Sequence, residues 1–185
     1  MRWSILTLTF GKSREQFLQK LLDNLQPQLN SDIQHFIKVF DKKYSIGENK
    51  AIMIEEAQGD YINFVDDDDL VAENYASSIY PLLDGVDYIG FQCNVYSDGV
   101  FTLPAYHSLK YGSWYNRPDG YYRDISHLNP MKKSLAIQGR MREGGNTLTE
   151  DRMWGDNLRN LGVVKTEHYI PRIMYFYYYR TVKND

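Results

Sequence analysis

The sequence predicts an α/β fold, a single domain with a mostly parallel central sheet flanked by helices. Over residues 3–65, apolar β-prone runs alternate with segments of helical periodicity in the order strand, helix, strand, helix, strand. That alternation requires right-handed crossovers and parallel neighbours, so the loops after Phe10, Phe40 and Val65 should open on one edge. The third strand, Tyr61 to Val65, runs straight into Asp66-Asp67-Asp68-Asp69. Charge is thereby delivered to the carboxyl end of a buried strand, where open α/β sheets bind ligands. Finally, 185 residues with 43% hydrophobic and 15% aromatic side chains suffice for one core and are short for two.

The elements follow in order. Residues 3–10 read as a buried strand and Gly11-Lys12-Ser13 as a turn. Ser13 caps a helix that carries Phe17, Leu18, Leu21, Leu22 and Leu25 on one face and stops at Pro27. Phe36 to Phe40 is the second strand, closing on Asp41. Gly47 opens a helix with Ala51, Ile52, Ile54 and Ala57, which Gly59-Asp60 ends. After the aspartates, Val71 to Leu83 reads as a helix weakened by Pro81, Val86 to Val95 as a strand, and Ser97-Asp98-Gly99 as a turn. Residues 101–127 are irregular and rich in Tyr, Gly and Pro, the pattern of a functional loop. Leu128 to Ile137 holds a short strand or turn, Thr149 to Leu161 a helix, and Tyr169 to Arg180 one or two closing strands.

A net charge of -3 speaks against indiscriminate polyanion binding. The single Cys93 excludes an internal disulfide and a multi-cysteine zinc site, and fits a reducing compartment. Residues 1–10 are too short and too interrupted by hydroxyls for a signal peptide, and no run reaches a membrane span. The expectation is a soluble, cytoplasmic protein.

Four adjacent carboxylates repel one another and need a cation or water to hold them together. Alone, the run reads either as a solvated acidic turn capping the next helix or as a divalent-cation site for a phosphorylated ligand. With Ser45-Ile46-Gly47-Glu48-Asn49-Lys50-Ala51 and Ala57-Gln58-Gly59-Asp60-Tyr61-Ile62, it resembles nucleotide-sugar glycosyltransferases of the Rossmann-like GT-A fold, most of all glycosyltransferase family 2. Leu8-Thr9-Phe10-Gly11 stands where that family's first strand ends in a base-holding turn, without its proline and asparagine, which implies nucleotide contacts from Thr9 and Phe10. Asp41 falls on the aspartate that accepts from the uracil ring, and Lys50 on the basic position facing base and phosphates. The aspartates match the family's Asp-X-Asp motif, in a register open by one residue. The resemblance implies Asp66 and Asp67 on the nucleotide, and Asp68 with Asp66 on Mn²⁺ or Mg²⁺, an ion that neutralises the leaving diphosphate.

Downstream, Thr149-Glu150-Asp151-Arg152-Met153-Trp154 resembles the Glu-Asp motif of inverting members, which implies Asp151 as general base and Glu150 as its orienting or acceptor-binding neighbour. Locally the same residues also suit a helix cap behind Thr147 or Thr149. His127-Leu128-Asn129-Pro130 resembles an element of some small members, so His127 either contacts diphosphate or acceptor or anchors a turn. Arg180, on the aromatic closing strand, is placed to reach a phosphate.

The resemblance therefore implies a metal-dependent inverting glycosyltransferase with a nucleoside diphosphate sugar as donor, UDP being the expected nucleotide. Residues 1–98 would form the nucleotide-sugar half and residues 99–185 the acceptor and catalytic-base half. Two-metal nucleotidyl transfer or hydrolysis would also use clustered aspartates but leaves the Glu-Asp element and the Gly47 to Gly59 segment unexplained, and two further alternatives stand beside the main reading. One is a non-catalytic nucleotide-sugar-binding module of the same fold. The other takes the acceptor, otherwise a glycan or small molecule, to be a modified DNA base. Residues 105–145 carry seven Lys or Arg against three Asp or Glu, interleaved with Tyr106, Tyr111, Trp114, Tyr115, Tyr121 and Tyr122.

Overall fold

β1 (Trp3–Thr9) is buried at all seven positions, which requires cover on both faces of the sheet. In the computed structural model, which describes residues 1–146 and 149–181, α1 (Glu15–Leu25) and α2 (Ile46–Glu56) provide part of that cover. Trp3 and Ile5 share one core with Leu21 and Leu25, while Leu6 and Leu8 share the other with Met53 and Ile54. The split follows the two-residue alternation of a strand.

β2 (Ile33–Val39) and β3 (Tyr61–Phe64) flank β1, both parallel to it. The expected edge therefore forms, with the chain leaving β1, β2 and β3 on the same side. The remaining strands are β4 (Leu70–Val71), β5 (Tyr88–Ser97), β6 (Val100–His107), β7 (Tyr115–Arg117), β8 (Gly120–Arg123), β9 (Met131–Lys132) and β10 (Glu167–Tyr179). The sheet order is β2-β1-β3-β9-β5-β6-β8-β7, with β10 along β5 and β4 along β10. The sheet is mixed: β10 runs parallel to β5 and β8 parallel to β6, while β9 runs antiparallel to β3 and β5, and β6 antiparallel to β5. The β5–β6 hairpin turns on Asp98-Gly99, both at positive φ (49° and 83°), the two-residue turn whose twist matches paired strands.

Three expectations are corrected. Ser13 does not cap α1, because Gly11–Arg14 forms a 3-10 turn and the helix begins at Glu15 without a side-chain cap. A cap of that kind appears instead at α2, where Ser45 and Glu48 form a reciprocal capping box. The helix expected over Val71 to Leu83 shrinks to α3 (Tyr75–Ile79). Leu70 and Val71 are drawn into pairing with β10, and Pro81 lies in the 3-10 turn that follows. Residues 101–127 are strand-rich, because their tyrosines stack across neighbouring strands: Tyr106 on Tyr122 at 5.2 Å and Tyr115 on Tyr122 at 5.1 Å.

Two helical segments complete the second half: α4 (Lys133–Ala136) and α5 (Glu150–Leu161). Thr147, one of the two expected caps of α5, lies outside the described residues. Among the described residues no helix is long and apolar enough to cross a membrane.

Candidate active site

The four aspartates divide into two pairs. Asp69 is buried with both oxygens engaged by β10: Oδ2 accepts from the Tyr175 hydroxyl at 2.7 Å and Oδ1 from the Tyr178 amide at 2.7 Å. Burial, together with Asp66 and Asp68, pushes its pKa well above the usual carboxylate range. Asp67 is buried too, and its Oδ1 accepts from Arg14 Nε and Nη2 at 3.1 and 2.7 Å. Asp66 and Asp68 keep the more accessible carboxylates, with side-chain exposures of 32% and 17%. Asp68 is bracketed by two guanidinium groups, Arg14 Nη2 at 2.8 Å and Arg180 Nη1 at 2.7 Å, both stacked over the Phe17 ring. Arg14, which no sequence motif marks, is thus the main counter-charge of the run. Its only sequence signal is a basic residue in the first turn after β1.

Do these residues suit a divalent cation? Two neighbouring accessible carboxylates, Asp66 and Asp68, are what Mg²⁺ or Mn²⁺ needs when substrate phosphates supply its other ligands. Asp67 Oδ2 adds a buried oxygen with no hydrogen-bond partner among the described residues. No group of three His, Cys, Asp or Glu side chains among the described residues forms a cage by itself. The donor set fits a cation completed by a bound diphosphate, with Asp68 released from an arginine.

A second centre lies between β3 and α5. Lys50 Nζ and Glu150 Oε1 are 2.7 Å apart, with side chains only 8% and 9% exposed. Burial works against the Lys50 charge, but Asp66, Glu150 and Asp151 outweigh it and raise the pKa. The expected nucleotide contact and the expected neighbour of the base are thus partners in one buried ion pair joining α2 to α5. Asp151 accepts from the Arg152 amide through Oδ1 at 2.7 Å, and its Oδ2 lies 3.2 Å from His127 Nδ1. Burial would raise its pKa, but His127 and Lys50 hold it below the ordinary value.

His127 joins the two acidic motifs. Its Nε2 lies 3.7 Å from Asp66 Oδ2 while Nδ1 faces Asp151. Both contacts are ion pairs rather than aligned hydrogen bonds. Burial and Lys50 push the ring pKa down, but Asp151 and Asp66 overcome them and raise it to about 9. The backbone of His127 is fixed at the end of β3, where its carbonyl accepts from the Phe64 amide at 2.8 Å. Asn129, in the same element, donates to the Ile89 carbonyl at 2.9 Å, and its Oδ1 lies 2.6 Å from His107 Nδ1. The His-Leu-Asn-Pro segment, in the loop from β8 to β9, is thus anchored to β3 and β5 and presents His127 to both carboxylates.

The other expected nucleotide residues sit at the ends of β1 and β2. The Thr9 hydroxyl is buried without a partner among the described residues. Phe10 is half exposed and packs on Phe40 at 4.9 Å. Asp41 is exposed, and its Oδ1 accepts from the Lys43 amide at 2.9 Å. Beside Asp151 opens a cavity of about 440 Å³ whose lining includes His107, Trp114, Tyr121, Arg123, His127 and Tyr177. Trp114 and Tyr121 belong to the basic, aromatic stretch of residues 105–145, but no sequence motif brings them to His107, Arg123 and Tyr177, because β6, β8 and β10 meet there only through sheet pairing.

A parallel-stranded α/β half with an acidic strand end, joined to a carboxylate-bearing helix beside a cavity, is the arrangement of a ligand-binding α/β protein. The family model described as Glycosyl transferase family 2 matches residues 10–143, and the chain belongs to that family. Among solved structures, it is similar to Staphylococcus aureus TarS 1–349 in complex with UDP-GlcNAc, with a TM-score of 0.71 and 12% identity over 100% of this chain and 60% of that one. The S. aureus TarS crystal structure matches with a TM-score of 0.69 and 12% identity, covering 96% of this chain and 37% of TarS. Bifunctional IspDF from Campylobacter jejuni matches more distantly, with a TM-score of 0.52 and 10% identity over 92% of this chain and 50% of that one. At such identities the likeness shows the fold, here GT-A, and the chain spans less than two thirds of each of these proteins. No curated protein sequence matches the chain.

Proposed function

We propose that the chain transfers a sugar, with inversion, from a nucleoside diphosphate donor to an acceptor hydroxyl, UDP being the nucleotide. The observation that carries this reading is His127 between Asp66 and Asp151, which joins the acidic strand end to the helix-borne carboxylate at the mouth of a cavity. The S. aureus TarS structures with UDP-GlcNAc and UDP support the choice of donor. Thr9, Phe10 and Asp41 would face the nucleotide. Asp66 and Asp68 would hold Mn²⁺ or Mg²⁺, which when bound neutralises charge on the departing diphosphate. Arg180 and Arg14, freed from Asp68, would turn to the phosphates. Asp151, kept ionised by His127, takes the acceptor proton as that oxygen bonds to the anomeric carbon and the bond to the diphosphate breaks. His127 holds Asp151 in place.

The test is a panel of nucleotide sugars with Mn²⁺, scored by release of nucleoside diphosphate, for native protein and Asp151→Asn. The expected result is metal-dependent release from a UDP-sugar, reduced at least about a hundredfold in the variant. Binding of UDP with no release from any donor would favour the second reading, a non-catalytic nucleotide-sugar module. One observation points that way: both Asp68 oxygens are already paired to arginines. A modified DNA base as acceptor draws no support from Lys132 and Lys133, since Lys132 pairs with Asp87 at 2.9 Å and Lys133 Nζ donates to the Glu55 and Ala57 carbonyls.

A further inference from the structure

The cavity beside Asp151 has an apolar floor of Cys93, Val95, Ala105 and Leu128, and aromatic walls. Its charged lining holds Asp151, which faces His127 at 3.2 Å, and Arg123. Nη1 of Arg123 donates to the carbonyls of Tyr115 and Tyr122 at 3.0 and 2.9 Å and to Asn116 Oδ1 at 3.0 Å, all neutral oxygens. The guanidinium carbon lies 5.0 Å from the centre of the Trp114 ring and 5.5 Å from that of the Tyr121 ring. Every other half-buried arginine pairs with a carboxylate: Arg2 with Asp84, Arg14 with Asp67 and Asp68, Arg159 with Asp124, and Arg180 with Asp68. Among the described residues Arg123 has no carboxylate within ion-pair distance, and its Nε and Nη2 make no hydrogen bond. A half-buried guanidinium costs desolvation that its neutral partners only partly offset, and burial together with Arg152 pushes its pKa down. Fixed by three acceptors and two rings, it loses little further freedom on meeting an anion.

We propose that this cavity takes an acceptor bearing a carboxylate or phosphate on a flat, apolar-faced body, with Arg123 pairing the anion and Trp114 and Tyr121 packing its face. The inference rests on the reading of Asp151 as the acceptor-side base, which places the acceptor in this cavity. It narrows that acceptor from any hydroxyl compound to an anionic one. Two free guanidinium donors in a planar fork match either kind of anion.

The test needs no sugar donor. Binding of 4-hydroxybenzoate, phenyl phosphate and the neutral 4-hydroxybenzamide to the native chain is measured by calorimetry and by Trp fluorescence. At least one anion should bind about tenfold more tightly than the amide, a preference that weakens at high salt. The better anion distinguishes carboxylate from phosphate. In Arg123→Gln that preference should vanish, and in Arg123→Lys it should be partly kept, both variants being checked for a cooperative melt because Nη1 also ties strand carbonyls. If the native chain binds anions and amide alike, or binds none of them, the proposal is overturned whatever the variants do. Retained UDP binding with no anion preference sinks this inference alone. An anion preference without UDP binding or donor turnover sinks the donor reading and leaves the cavity assignment standing.

Discussion

Removing the Glu150 charge should destabilise the fold more than any other single change at the site. Glu150 and Lys50, one hundred positions apart in sequence, meet at 2.7 Å with both side chains below 10% exposure. In Glu150→Gln the ammonium stays buried without its closest counter-charge. Breaking such a pair costs roughly 3–5 kcal/mol. Asp66 and Asp151 still act on Lys50, so the lower end, about 3 kcal/mol, is expected. With a urea slope of about 2 kcal/mol per M, the midpoint should fall by about 1.5 M at unchanged slope. The double variant Lys50→Met/Glu150→Leu removes both charges and should recover at least half of the loss, so it should cost well below the sum of Lys50→Met and Glu150→Leu. A midpoint shift below about 0.3 M in Glu150→Gln, or a double variant costing the sum of the two singles, would refute the buried-pair argument.

His107 is buried neutral, and burial lowers its pKa to about 4, against its hydrogen bond with Asn129. The unfolded chain then binds more protons between pH 6.5 and 4, so this group's contribution is complete above about 6.5 and is lost as pH falls toward 4. Asp69, raised by burial, acts in the opposite sense, so the quantity to measure is the difference in urea stability between native and His107→Gln at pH 7 and pH 4.5. That difference should shrink by on the order of 2–3 kcal/mol, and a pH-independent difference would exclude the assignment. Asp66→Asn and Asp68→Asn should each weaken Mn²⁺-dependent UDP binding at least about tenfold in calorimetry, and EDTA should bring native protein to the same level. Asp69→Asn should instead lower the melting temperature, because its carboxylate is engaged by Tyr175 and Tyr178. Gly47→Ala would place a Cβ 2.5 Å from the Met141 carbonyl oxygen. It should cost about 1–3 kcal/mol, a fall of several degrees in Tm, and a drop below about 2 °C would mean that the segment at Met141 yields freely.

The half of the fold before the aspartates is legible in the sequence because its signals are local. Strand runs, helical periodicity and glycine stops set β1, α1, β2, α2 and β3 in parallel order. The half after them departs from its local pattern where nonlocal pairing decides. Leu70 and Val71 adjoin a helix-like stretch until β10 claims them, and the tyrosines of residues 101–127 look like loop until they stack across β6, β7 and β8. At the site, the acidic motifs are visible in the chain, but their counter-charges are not. Arg14 and Arg180 reach Asp68, Lys50 reaches Glu150, and His127 reaches both Asp66 and Asp151, only because parallel strand ends converge on one edge.

The sequence by itself determined the alternating α/β order, the acidic strand end and the carboxylates at the start of α5. Each of these depends on residues within a few positions of one another, through side-chain periodicity, turn chemistry and capping. Tertiary structure alone decided which aspartates face the opening, that Lys50 and Glu150 neutralise one another, and that Arg123 has no carboxylate partner among the described residues. Exposure and charge pairing depend on which strands become neighbours. That follows from burying both faces of one sheet, and no local stretch of the chain encodes it.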